Sequence, residues 1–164
     1  MMSMFLNEAT KLRAQTIIKG LEKRNMHGVF CATKEDALKQ ALSYIKEGSS
    51  VSWGGSMSVS EIGLMDALKE GNYQLIDRSV AKNFDEQREI FSKAVLSDYF
   101  LMSSNAITLD GELINIDGTG NRVACLSYGP KHVIMIVGMN KVVNDVEDGI
   151  KRVRNFASPP NTLR

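Results

Sequence analysis

Cysteine, proline, histidine and tryptophan are scarce: 164 residues hold two, three, two and one of them. Cys31 and Cys125 are far apart, in apolar, β-like surroundings. A disulfide framework, a zinc centre and an iron–sulfur centre all require more ligands than two thiols provide. Buried structural thiols in a reducing compartment are expected instead. His27 opens an expected strand and His132 precedes another, and neither sits beside an Asp or Ser partner. No hydrolytic triad and no metal-ligand pair is visible. A charge excess is lacking too, since 20 Lys and Arg against 19 Asp and Glu leave a formal net charge of +1. That balance gives no reason to expect nucleic acid or an anionic membrane as partner. The one basic cluster, Lys151-Arg152-Val153-Arg154, falls on an expected amphipathic helix and reads as its solvated face. No window approaches the ~20 apolar residues that span a bilayer. The start, Met1-Met2-Ser3-Met4-Phe5-Leu6, is too short and too soon polar for a signal peptide. A cytoplasmic protein is expected, without internal repeats or low-complexity segments.

What is present is a β–α rhythm. The length suits one domain over residues 1–164, with an N-terminal helix within 1–25 and a tail at 158–164. Apolar residues Leu12, Ile17, Ile18 and Leu21 form a helical stripe between Asn7 and Arg24. His27–Ala32 reads as a strand, and Thr33 with Asp36 as the cap of a helix that stops at Gly48. Val51–Trp53, Tyr73–Ile76 and Tyr99–Met102 read as strands; between them lie a helix that carries Ile62, Leu64, Met65 and Leu68 and stops near Gly71, and another at Phe84–Leu96. Short connections of this kind mean a mostly parallel sheet with helices on both faces. Asp110-Gly111 between β-prone runs predicts a type I′ hairpin near Ile107–Ile116. Val133–Val137 is continuous in apolar character and reads as a central strand. An amphipathic helix follows from Asp145 to Phe156, and Pro159-Pro160 ends the ordered chain. The expected fold is an α/β/α three-layer sandwich with a Rossmann-like, mostly parallel sheet and one antiparallel hairpin.

The most informative stretch is Val51-Ser52-Trp53-Gly54-Gly55-Ser56-Met57-Ser58-Val59-Ser60-Glu61. A strand runs into two glycines and then a helix, with Ser58 and Glu61 spaced as a capping box. Such a junction presents backbone N–H groups at the carboxyl edge of a sheet, where ligands of open α/β sheets bind. The spacing is neither a dinucleotide fingerprint nor a phosphate-binding loop with its lysine. Gly54-Gly55-Ser56, Asp77-Arg78, Ser103-Ser104-Asn105 and Gly138-Met139-Asn140-Lys141 are expected to meet at that edge. Asp117-Gly118-Thr119-Gly120-Asn121-Arg122 is expected to fold over them. Donors, amides and two cations of this kind suit a carboxylate or phosphate.

Each residue has an ordinary reading as well. Arg78 suits an ion pair with Asp77, Asn105 and Asn140 suit turns, and Lys141 suits solvent. Gly118 and Gly120 suit turn geometry, Asp110 a hairpin and Trp53 the core. Glu61 and Asp117 are the candidate bases, although Glu61 also completes the expected cap. No metal ligands and no cofactor are expected.

An ordered series of motifs carries a resemblance. Gly54-Gly55-Ser56 precedes Glu61-Ile62-Gly63, then Asn105-Ala106-Ile107-Thr108 with Asp110-Gly111. Asn115-Ile116-Asp117-Gly118-Thr119-Gly120-Asn121-Arg122-Val123, Gly129-Pro130 and Gly138-Met139-Asn140-Lys141 follow. From Phe30 to Arg164 the chain resembles the lactate-utilization (LUD) domain family. The resemblance implies a fold similar to the glucosamine-phosphate deaminase, ribose-phosphate isomerase and CoA-transferase superfamily. It marks Gly54, Gly55, Ser56, Glu61, Asn105, Gly111, Asp117, Gly120, Asn121, Arg122, Asn140 and Lys141 as characteristic positions. It implies a component of L-lactate to pyruvate oxidation beside iron–sulfur partner proteins, its own chemistry unestablished. Many relatives continue past Pro160-Asn161 into a cysteine-containing tail, so no role of that tail is carried over to this short form. The catalytic glutamate of CoA transferases and the acid/base set of the isomerases have no match here.

Two alternatives stand beside that reading. One is an isomerase- or transferase-type enzyme for a small anionic metabolite, with Glu61 or Asp117 as base and Arg122 and Lys141 holding the anion. The other is a non-catalytic binding module for a carboxylate, sugar phosphate or CoA ester, as a homo-oligomer or docked to partners.

Overall fold

The computed structural model describes residues 2–163, with side chains from residue 5 onward; Met1 and Arg164, at the ends of the expected N-terminal helix and tail, lie outside the described residues. In chain order the elements are α1 (Met2–Glu22), α2 (Lys34–Tyr44), β1 (Ser50–Trp53), α3 (Met57–Glu61), α4 (Leu64–Glu70) and β2 (Gln74–Ile76). Then come α5 (Phe84–Val95), β3 (Tyr99–Met102), β4 (Ala106–Thr108), β5 (Leu113–Ile114) and α6 (Asn121–Ser127). The last are β6 (His132–Met135), β7 (Val142–Val143), α7 (Val146–Arg152) and α8 (Ser158–Asn161). Two compact units result. The parallel-sheet unit comprises Cys31–Ser103 and Asp117–Ile136; the hairpin unit takes the chain up to Phe30, Ser104–Ile116 and the chain from Val137 on.

In the parallel-sheet unit, four parallel strands stand in the order β2-β1-β3-β6, with Val51 opposite Tyr99 and Phe100 opposite Val133. Alternation along each strand sends successive side chains to opposite faces. Leu101, Ile134 and Ile136 join Val51 in a core with Ala41 of α2, Ile45 just after it, and Leu64 and Leu68 of α4. Phe100, Met102, Val133 and Met135 face the other way, onto Phe91 and Val95 of α5 and Cys125 of α6. Helices cover both faces, so this unit is an α/β/α sandwich. That explains the unbroken apolar run at β6, which pairs with β3 alone and ends the sheet instead of lying at its centre. Double-sided burial, not a central place, requires such a run.

Local chemistry sets the ends of these elements. Thr33 caps α2 by accepting a hydrogen bond from the Asp36 amide at 3.0 Å, as its spacing requires. His27–Ala32 is no strand. Gly28 lies against Ile18 and Leu21 of α1, where a Cβ would come within 3.0 Å of either side chain. That run packs on a helix, so its alternating pattern has no sheet to join.

Asp98 ties three strand starts together. Its Oδ2 accepts the Ser50 amide at 2.9 Å and the Ser50 hydroxyl at 2.7 Å, and its Oδ1 meets Lys131 Nζ at 2.7 Å. The Lys131 hydrogen bond, then those from Ser50, hold its carboxyl well below the usual carboxylate range. A carboxyl lowered on folding stabilises the fold above its unfolded pKa of about 4, and that contribution fades as pH falls through and below that value. Asp98→Asn is therefore expected to cost stability at neutral pH and progressively less in acid. Urea midpoints of both proteins at neutral pH and near pH 3 measure this; a constant gap would refute it.

In the hairpin unit the sheet order is β5-β4-β7, with β4–β5 antiparallel and β4–β7 parallel. The hairpin stands where Asp110-Gly111 places it, but the turn is not type I′. That type needs positive φ at both central residues. Gly111 has φ +79°, whereas Asn25 is the one non-glycine with positive φ among the described residues. Gly111 N–H donates to Thr108 O at 3.0 Å and Thr108 N–H to Glu112 O at 2.9 Å, closing a three-residue loop. Ala106, Ile114 and Val153 form the core here, with Val143 and Ala157 against them. Asp145 caps α7, accepting from the Asp148 amide at 2.8 Å. Pro159-Pro160 does not end the ordered chain; both fall in the first turn of α8, where a missing N–H leaves no helical bond unmade.

Candidate functional site

The chain leaves β1 still tied to the sheet, Gly54 N–H donating to Leu101 O at 2.9 Å. Helix α3 then starts two residues earlier than a Ser58 cap would place it. Ser56 is the N-cap, its Oγ accepting from the Val59 amide at 3.3 Å, and Ser58 lies inside the first turn. The expected capping box is thus displaced: two serines at similar spacing compete, and the one directly after the glycines caps. Glu61 stands at the end of α3, half exposed, with Lys34 Nζ at 3.8 Å.

Both glycines make room for arginines. A Cβ on Gly54 would lie 3.2 Å from Cγ and Cδ of Arg122, and one on Gly55 would lie 3.0 Å from Nη2 of Arg78. Arg122 reaches this place from α6, a helix that sequence reading leaves as polar loop. Its N-cap is Gly120 at φ +78°, which carries no side-chain signal. Arg122 Nε and Nη2 meet Asp117 Oδ1 at 2.9 and 2.7 Å, and Nη1 donates to Ser103 O at 2.7 Å. Asp117 Oδ2 accepts the Val123 amide at 2.7 Å. Both side chains are buried, at 11% and 8% exposure, so this pair is a fixed strut.

Arg78 differs. It follows β2 in a single 3₁₀ turn and is exposed, and its side chain makes no hydrogen bond or ion pair among the described residues. The expected partner Asp77 accepts instead from the Ser79 amide at 2.8 Å. Gly54, Gly55, Arg78, Ser103, Asp117 and Arg122 therefore gather at the carboxyl edge of the parallel sheet. The sheet order puts a switch between β1 and β3 there, the usual ligand crevice of open α/β sheets. Gly118 and Gly120 have open space where a Cβ would stand, and Asn121 Oδ1 accepts from the Thr119 hydroxyl at 3.0 Å.

Three expected site residues belong to the hairpin unit. Asn105 Oδ1 accepts the Ile116 amide at 3.0 Å, and its carbonyl accepts from Arg152. Asn140 is exposed on the 3₁₀ turn Met139–Lys141, which Lys141 ends.

The LUD domain family model matches residues 14–164. This chain belongs to the LUD domain family. No curated protein and no solved structure matches it. The family is associated with lactate utilization.

In this LUD domain the edge has limited chemistry. The Asp117 and Arg122 charges cancel, which leaves the Arg78 guanidinium as the cation available to an anion. Burial pushes the Cys31 and Cys125 thiols up, with Asp36 and Asp117 adding to it, so neither is an activated nucleophile. No three His, Cys, Asp or Glu side chains gather as a metal site among the described residues. No helix among them is long and apolar enough to cross a membrane.

Proposed function

We propose that this LUD domain is a non-catalytic carboxylate-binding module of lactate utilization, holding a 2-hydroxy or 2-oxo acid against the Gly54-Gly55 loop with Arg78. The observation that carries this reading is the uncompensated Arg78 beside a glycine that leaves it uncovered. A guanidinium fork matches a carboxylate in two parallel hydrogen bonds. Turnover is disfavoured because Asp117, the candidate base at this edge, is engaged with Arg122. The protein acts in the cytoplasm, as a homo-oligomer or docked to iron–sulfur proteins that carry the electrons.

Calorimetry with L-lactate, pyruvate and a sugar phosphate tests the binding step. One of the two acids is expected to bind without turnover, about tenfold more weakly to Arg78→Ala. Binding of neither acid, or binding indifferent to Arg78→Ala, overturns the reading. Deleting the gene is expected to abolish growth on lactate; normal growth would remove the metabolic assignment.

A further inference from the structure

The hairpin unit holds a cleft of about 510 Å³ that the family reading does not use. That volume lies within the range of pockets for small organic ligands. Arg13, Lys151 and Arg152 bring three cations to its walls, and Asp148 one carboxylate. Lys151 is answered, with Glu147 at 2.8 Å and Asp148 at 4.0 Å. The two guanidinium groups are not: Arg13 has no partner among the described residues, and Arg152 donates only to the Asn105 carbonyl. The amides of Asn140 and Asn155 also line the cleft, and neither side chain hydrogen-bonds among the described residues.

Phe156 completes the wall, and its position needs explaining, because it is 73% exposed. It lies in a π turn, Val153–Ala157, closed by the Ser158 amide donating to Val153 O. The wide turn keeps Val153 and Ala157 on the core and swings Phe156 away from them. An aromatic face is thereby offered beside two arginines and two amides.

We infer that this cleft binds a mononucleotide: the phosphate on Arg13 and Arg152, the base stacked on Phe156, and the base edge met by Asn140 or Asn155. Arginine forks suit phosphate oxygens, aromatic faces stack any base, and side-chain amides pair with base edges. Every residue that lines the cleft belongs to the hairpin unit, whereas Gly54 and Gly55 belong to the parallel-sheet unit.

Calorimetry on the intact chain with AMP, adenosine and inorganic phosphate tests the assignment. AMP is expected to bind more tightly than either fragment. Arg13→Ala and Phe156→Ala change exposed side chains, so both variants are expected to fold, as circular dichroism will check. Arg13→Ala should weaken AMP about tenfold and flatten its salt dependence. Phe156→Ala should weaken AMP and adenosine about tenfold and leave phosphate unchanged. No AMP binding at millimolar concentration, phosphate binding as tightly as AMP, or AMP affinity unmoved by both variants would each overturn the proposal.

Discussion

Gly20→Ala is expected to destabilise the protein by about 3 kcal/mol, the upper range for overpacking a filled site. A Cβ at residue 20 would stand 2.2 Å from the Asp110 carbonyl oxygen, 2.4 Å from its carbon and 2.9 Å from Gly111 N. These are backbone atoms of the hairpin turn, so no rotamer change relieves the clash. Helix α1 prefers alanine to glycine by about 1 kcal/mol, which works against the clash and is too small to offset it. Arg24 adds to the cost, because its Nη1 donates to the carbonyls of Gly20 at 3.0 Å and Asp110 at 2.6 Å. Moving α1 away would stretch the bond to Asp110. Gly118→Ala is the control, with nothing within 4 Å of its added carbon, and should change little. Urea denaturation of the three proteins measures the contrast. Equal midpoints for Gly20→Ala and the parent would mean α1 does not rest on the hairpin.

Asp117→Ala is expected to cost about 3–5 kcal/mol, the loss seen when one partner of a buried ion pair is removed. The variant removes the carboxylate that faces the Arg122 guanidinium and strips the Val123 amide of its acceptor. Arg122→Ala should cost a similar amount and also open space over Gly54. The double variant should cost clearly less than the sum of the two, because each single change already incurs the penalty of an isolated charge. Additive losses in denaturant titrations would show that the two side chains act independently.

Much of this architecture is readable from residues alone. Thr33 with Asp36, the run Tyr99–Met102 and the Asp110-Gly111 turn each combine a local preference with a matching neighbour, and each stands where expected. Local signals fail where something distant decides. Helix α6 has seven residues and a glycine cap, so its apolar pattern is too brief to show. Its role is to deliver Arg122 to a glycine far back in the sequence, and no spacing rule reports such a meeting. Gly54 and Gly55 also make room for Arg122 and Arg78, a contact that no local pattern reports. The π turn at Val153–Ala157 was equally hidden, because its residues alone read as continued α-helix. The Gly-Gly-Ser motif marks the carboxyl edge of the sheet, and only the folded chain shows which side chains stand beside it.

The division of the chain also sets a timetable for synthesis. Every strand of the parallel sheet has been synthesised once Ile136 is added, whereas β7 and α7 of the hairpin unit are still to come. Helix α1 is made before any of these strands, yet the unit it belongs to is completed after the parallel sheet. The nascent protein must carry that helix in wait for β7 and α7 while the parallel-sheet unit assembles.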